Sequence, residues 1–166
     1  YLKRQCDNYA LDFEDLINFT LYILEKNEDV RIRWQEKCQY VLCDEYQDVN
    51  MKQDMLLGIL SGLYQNLFVV GDDDQNIYTW RGSDPAYMIN FDKTHEDVKD
   101  YYLTENFRSI PQIVNVAKSL ISANQNRLQK EMISKRPDGN KPVFNAPETE
   151  EKESVWIADT LSLIHI

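Results

Sequence analysis

Two short apolar runs, Val41-Leu42-Cys43 and Leu67-Phe68-Val69-Val70, each end abruptly in carboxylates. The first runs into Asp44-Glu45-Tyr46-Gln47-Asp48, the second into Gly71-Asp72-Asp73-Asp74-Gln75. Apolar runs this short, with no polar alternation, suit strands covered on both faces, as in parallel sheets. Residues 39–43 and 67–70 are therefore expected to be buried strands. Helical spacing of Leu11, Phe13, Leu16, Ile17, Leu21 and Leu24 predicts a helix over 11–24. Further helices are expected over 52–63, with Gly62 as its stop, and over 84–91, with Asp84 as N-cap and Pro85 at its first position. Residues 110–123 and 148–163 also read as helical, and 100–103 as a third strand. Residues 136–150, rich in Pro and polar groups, read as a loop with a short strand near Val143-Phe144. The alternation of strands and helices is that of an α/β fold with a mostly parallel sheet flanked by helices. Ligands of such sheets bind at the carboxyl ends of strands, where both acidic clusters fall.

Composition narrows the function less than it first promises. The chain has 166 residues, 43% of them hydrophobic, enough for a core. With 18 basic and 28 acidic residues its net charge is −10, which taken alone argues against a nucleic-acid binder and against adhesion to an anionic membrane surface. No apolar run approaches the roughly 20 residues of a membrane span. Cys6, Cys38 and Cys43 form no CxxC pair, and buried free thiols are expected. His95 and His165 lie in no metal-ligand pattern and read as surface residues; Trp34 and Trp156 read as packing residues. The chain starts at Tyr1 with neither Met nor a signal-peptide pattern, as expected of a piece of a longer protein.

The acidic clusters admit two readings each. A carboxylate at a strand end suits a hard cation such as Mg²⁺, and its neighbour could orient or deprotonate a water. The alternative for Asp44-Glu45 is an acid-decorated helix start, which is common. Three consecutive aspartates repel one another, so the second loop needs a compensating reason. Gln75 can donate to a phosphate oxygen. Tyr78, Trp80 and Arg81 offer two π-faces and a guanidinium, the equipment for stacking single-stranded bases and holding a phosphate; core packing of the two rings is the alternative.

Taken together, VLCDEYQDVN, VVGDDDQNIYTWRGS and YLTENFRS, in this order and preceded by ALDFEDLI, resemble the UvrD/PcrA/Rep-like DNA helicases of superfamily 1. The resemblance covers about residues 9–135 and continues more weakly to the end. It implies part of a RecA-like (P-loop NTPase) domain over 1–104 and the start of a second RecA-like domain over 105–166. It implies ATP and Mg²⁺ as cofactors and single-stranded DNA as partner, with movement 3′ to 5′ in repair or replication, alongside other proteins of those pathways, in the cytoplasm. Asp44 would bind Mg²⁺, Glu45 would polarise the attacking water, and Gln47 and Asp48 would link their motif to its neighbours. Gln75 would sense the γ-phosphate, Tyr78, Trp80 and Arg81 would contact DNA, and Arg108 would reach the γ-phosphate from the second domain. The same motifs occur in helicase-nuclease subunits of the AddA or RecB kind. Asn76 stands where Ser is usual in the family, Phe107 where Tyr is common and Ser83 in place of a frequent Ala.

No GxxxxGK[ST] occurs among the 166 residues, so the phosphate cradle is missing. The chain is accordingly expected to be an internal slice of a helicase that hydrolyses ATP negligibly by itself; a non-enzymatic interaction module is the other reading. Charge is uneven along it. Residues 105–136 are basic, with Arg108, Lys118, Arg127, Lys130, Lys135 and Arg136 against Glu105 and Glu131. Stacking on aromatic rings is not registered by net charge, so the acidity excludes only a main grip on duplex DNA.

Overall fold

A computed structural model describes residues 1–162. The elements are α1 (Leu2–Asn8), α2 (Phe13–Lys26), α3 (Glu28–Lys37), β1 (Val41–Cys43), α4 (Met51–Ser61), β2 (Leu67–Val69), α5 (Ala86–Ile89), α6 (Phe91–Thr94), β3 (Glu105–Asn106), α7 (Pro111–Ile121), β4 (Ile133–Ser134) and α8 (Glu150–Ser162). They divide into two units. The first comprises Tyr1–Tyr101 and Asn124–Gln129, the second Tyr102–Ala123 and the chain from Lys130 onward.

In the first unit, α2 begins with a reciprocal capping box. Asp12 accepts from the Asp15 amide at 2.8 Å, and Asp15 accepts from the Asp12 amide at 3.2 Å. Its apolar stripe buries Leu21 and Leu24, and α2 packs on α3 and α4. A second capping box, Asn50 with Gln53, starts α4. β1 and β2 pair in parallel, Val41 opposite Leu67, Leu42 opposite Phe68 and Cys43 opposite Val69. The ladder continues past both strands, with the Val70 amide donating to Cys43 O at 2.8 Å and the Tyr46 amide to Val70 O at 2.9 Å. Both acidic clusters therefore leave the same edge of one sheet.

In the second unit, β3 and β4 pair in parallel, Glu105 opposite Ile133 and Asn106 opposite Ser134. Ser134 Oγ donates to Ser109 O at 2.7 Å, and α7, with Pro111 in its first turn, buries Val114.

The mixed α/β class with parallel pairs flanked by helices is as expected, but several local expectations are corrected. The strands are not covered on both faces: Leu42 and Phe68 are 72% and 56% exposed, because a two-stranded sheet packs only one face here. Residues 100–103 form no strand, and Leu103 is 92% exposed; pairing starts at Glu105, where a partner strand is available. Val143 and Phe144 are exposed and outside any strand. The 84–91 helix breaks at Asn90 into α5 and α6, where the Asn90 side chain donates to Ala86 O at 2.9 Å; it starts at Ala86, with Pro85 and not Asp84 as its N-cap, while Asp84 accepts from the Ala86 amide at 2.8 Å. The end of the 148–163 helix beyond Ser162, and His165, lie outside the described residues. None of the three free thiols is buried: Cys6 is exposed and Cys38 and Cys43 are half-buried, and partial burial pushes the Cys43 thiol up. His95 is half-buried and stacks on Phe91, centroids 4.0 Å apart. Trp34 and Trp156 are 49% and 39% exposed, and Lys37 lies 5.0 Å from the Trp34 ring. Among the described residues no helix is long and apolar enough to cross a membrane.

Candidate functional site

The site grows from the common edge of β1 and β2. Asp44 is exposed there, its Oδ1 accepting from the Glu45 amide at 2.9 Å. One exposed carboxylate at a strand end fits a cation that keeps most of its waters, as Mg²⁺ does. Glu45 sits at φ 52, ψ 40, a left-handed conformation that costs a non-glycine residue about 1–2 kcal/mol. It is held there by a short 3₁₀ turn, Tyr46–Asp48, whose Asp48 amide donates to Glu45 O at 2.9 Å. Behind the turn Tyr46 is buried. Its hydroxyl donates to Asp54 Oδ1 at 2.5 Å, and its ring meets Phe91 edge-on at 5.6 Å. Burial, and then the Asp54 carboxylate, push that hydroxyl far above the usual tyrosine range.

Gln47 ties the two acidic segments together. It is 1% exposed, and all its polar groups but the amide N–H have assigned partners. Nε2 donates to Glu45 Oε2 at 2.8 Å, Oε1 accepts from the Asp72 amide at 3.0 Å, and its carbonyl accepts from Asn76 Nδ2. A fully buried side chain with its bonds made is a rigid joint. Gly71 makes room for it. A Cβ there would lie 2.5 Å from Gln47 Oε1 and 3.1 Å from the Tyr46 nitrogen, so the glycine serves close approach and not a positive φ.

The Asp72–Gln75 loop closes on itself. Asp72 accepts from the Asp74 amide at 3.1 Å and from Gln75 Nε2 at 2.9 Å. Asp73 and Asp74 turn to a distant segment: Arg127 forks onto Asp74, and the Leu128 amide donates to Asp73 at 2.8 Å. Oxygens of Asp72, Asp73 and Asp74 lie within 4.8 Å of one another, but each carboxylate already accepts protein hydrogen bonds. Beyond the loop, Asn76 Nδ2 also donates to Ser83 Oγ at 3.0 Å, so two of the three residues that depart from the family pattern are bonded to each other.

Tyr78, Trp80 and Arg81 follow on a 3₁₀ turn closed by Gly82 at φ 84. The Arg81 guanidinium lies 5.1 Å from the Tyr78 centroid and 4.5 Å from that of Trp80, and Trp80 is 73% exposed. Trp80 is thus an exposed π-face, not a core ring. Arg108 lies in the second unit, in a turn where the Arg108 and Ser109 amides donate to Asn106 Oδ1 at 3.0 and 2.8 Å.

The structure therefore gathers Asp44, Glu45, Gln47, Asp72 and Gln75 at one sheet edge, with Tyr78, Trp80 and Arg81 next in the chain. Sequence reasoning missed Arg127. Its only signal was that three adjacent aspartates require a counter-charge.

Comparison with known proteins supplies the relatives. Residues 1–96 match the UvrD/REP helicase N-terminal domain, and residues 101–165 the UvrD-like helicase C-terminal domain. The chain is 36% identical over 165 residues to the ATP-dependent DNA helicase PcrA of Bacillus subtilis, covering 99% of this chain and 22% of that protein. It is also 36% identical over 157 residues to the PcrA proteins of Staphylococcus aureus and Staphylococcus epidermidis, covering 95% of this chain and 22% of theirs. It spans about a fifth of the length of these curated relatives. With motifs, order and both domain matches in agreement, the chain belongs to the UvrD/Rep family of DNA helicases.

Proposed function

We propose that these residues form the back of the first RecA-like domain, over 1–104, and the opening of the second, over 105–166, of an ATP-dependent helicase that moves 3′ to 5′ on single-stranded DNA. The observation that carries this reading is the Gln47 joint, which bonds Glu45 on one side and the Asp72 and Asn76 backbone-and-side-chain frame on the other. Such a joint lets a change at the strand-end acids reach the segment that carries Tyr78, Trp80 and Arg81.

In this reading Asp44 holds the Mg²⁺ of Mg-ATP, which when bound neutralises phosphate charge. Glu45 orients the attacking water and accepts its proton, from a backbone conformation that fixes where its carboxylate begins. Gln75 donates from its amide to the γ-phosphate, and Arg108 stabilises charge on the transferred group. Tyr78 and Trp80 stack bases while Arg81, lying against both rings, meets the DNA backbone. Positioning supplies most of the catalysis in phosphoryl transfer, and the 166 residues hold no GxxxxGK[ST] cradle, so they alone turn over ATP negligibly.

A chimera in which these residues replace the matched segment of the Bacillus subtilis PcrA tests the reading. It should unwind a 3′-tailed duplex with ATP. Glu45→Gln should lower turnover at least ~100-fold, on the scale of losing a general base, and leave single-strand binding intact. Trp80→Ala should weaken single-strand binding about tenfold, on the scale of one stacked base. Turnover unchanged in Glu45→Gln, or an isolated 166-residue chain with robust ATPase, overturns it.

A further inference from the structure

Adjacent carboxylates of the Asp72–Asp74 run repel one another, and two of them are satisfied from far along the chain. Arg127 Nε donates to Asp74 Oδ1 at 2.8 Å and Nη2 to Asp74 Oδ2 at 2.5 Å, a bidentate fork between side chains only 15% and 9% exposed. One residue on, the Leu128 amide donates to Asp73 Oδ2 at 2.8 Å, and Asp73 is itself buried. Two independent contacts thus tie residues 127–128 to a loop more than fifty positions away. The segment that makes them, Asn124–Gln129, groups with the first unit, although the chain before it, Tyr102–Ala123, and after it, from Lys130, belongs to the second.

The bonds run on to the proposed γ-phosphate sensor. Asp74 donates its amide to Asp72 Oδ1, and Asp72 Oδ2 accepts from Gln75 Nε2. Arg127 therefore bears on the very loop whose last residue is Gln75. The guanidinium is held in its charged form by its bonds to Asp74, so the contact persists through the whole range in which the carboxylates are ionised.

We propose that Asn124–Gln129 is a strap and Arg127 a positioning residue, which by clamping Asp73 and Asp74 sets the conformation from which Gln75 acts. The strap is continuous at both ends with the second unit, entered after α7 and left before β4. A load on either element reaches Asp74 through a few residues of covalent chain, so the strap reports the state of that unit to Gln75. The clamp stands on its own geometry; its consequence for turnover rests on the function proposed above.

Hydrogen exchange on the full 166-residue chain tests the clamp. Arg127→Ala should speed exchange of the 73–76 amides about tenfold while the Val41 and Val70 amides in the β1–β2 ladder keep their rates. Arg127→Lys keeps the charge and loses the fork, and should give a smaller increase. Exchanging the pair, Asp74→Arg with Arg127→Asp, should recover part of the protection that either change alone removes. Unchanged exchange at 73–76 in Arg127→Ala, or an equal rise at Val41 and Val70, overturns the proposal; should Arg127→Ala fail to fold, the same two criteria apply to Arg127→Lys. In the PcrA chimera, Arg127→Lys should lower kcat severalfold with KM for ATP and single-strand affinity unchanged, a split that loss of fold would not produce. Local exchange as predicted, together with a Gln75→Ala chimera of undiminished turnover, would leave the strap standing and sink the proposed role of Gln75.

Discussion

The two units are built by different means. Among the described residues, every buried side chain except Val114 belongs to the first unit, and several of these are polar: Gln47, Ser61, Asp73 and Ser83. Gln47 and Asp73 lie just beyond the ends of β1 and β2, and Ser83 is bonded to Asn76 after them, whereas Ser61 ends α4 and donates to Leu57 O. Among its described residues the second unit has strands of two residues, one buried aliphatic and a helix, α8, with no buried residue. Its order is kept by a few polar contacts: Asn106 capping its own turn, Ser134 on Ser109 25 positions away, and Gln112 bonded to Asp138, 26 positions away, at 3.0 Å. Buried and satisfied polar groups specify one arrangement, at high cost if a partner is lost. Segments with few buried side chains open readily. The first unit thus has the more rigid packing, and the second the looser.

Packing around Gln47 is where that contrast is most exposed to test. Gly71→Ala places a methyl 2.5 Å from Gln47 Oε1 and 3.1 Å from both the Tyr46 nitrogen and Met88 Sδ. Backbone cannot yield cheaply there, so a loss of about 1–3 kcal/mol is expected in urea unfolding. Gly58, in α4, has nothing within 4 Å of its would-be Cβ. Gly58→Ala should instead stabilise by about 0.5–1 kcal/mol through helix propensity. Equal effects of the two changes would mean that the Gln47 joint is not tightly packed.

Val114→Ala asks whether the second unit stands on its own small core. Removing two buried methyl groups should cost about 1.5 kcal/mol. Exchange should rise at α7 amides while α2 amides, over Leu21 and Leu24, stay as they were. A matching rise in α2 would show that the two units open together.

How far such features can be read from sequence follows the range of the interaction that decides them. β1, β2 and the acids at their ends were readable because an apolar run ending in charge is a local pattern. α2, α4 and α7 were readable as helical stretches, α2 from its apolar spacing and α4 with Gly62 marking its end. α3, EDVRIRWQEK, has almost no apolar stripe, so nothing periodic marks it; it is helical because α2 and α4 pack on it. Tyr101-Tyr102-Leu103 carries strand-like side chains yet stays unpaired, since β4 offers its edge only from Ile133 onward. A glycine at a strand end, such as Gly71, ordinarily serves a turn, but the reason for it here is the Gln47 side chain 24 positions earlier in the chain. Arg127 was out of reach for the same reason at greater distance: Asp74 calls for a cation, and nothing local says which one.

The weakest contact with a definite sign lies at the exposed entry to α2. Tyr1 Oη donates to Asp12 Oδ2 at 2.6 Å while Asp12 caps the helix. The Tyr1 hydroxyl, and then the backbone amides of the cap, hold the Asp12 carboxyl below the usual aspartate range; the same bond holds the Tyr1 hydroxyl above the usual tyrosine range. A carboxyl with a lowered folded value contributes stability that is present above its unfolded value and is lost as pH falls through the folded one. A hydroxyl with a raised folded value contributes stability that is present below its unfolded value and is lost as pH rises through the folded one. The α2 N-terminus should therefore be best ordered between the carboxylate and tyrosine ranges and fray at both extremes. Tyr1 is exposed and Asp12 half-exposed, so the effect is local and screened by salt. The chemical shift of the Asp15 amide, which donates to Asp12, reads it directly. Tyr1→Phe should abolish the alkaline step and shrink the acid one, and Asp12→Asn should abolish both. An alkaline step that survives Tyr1→Phe would assign the change to another group.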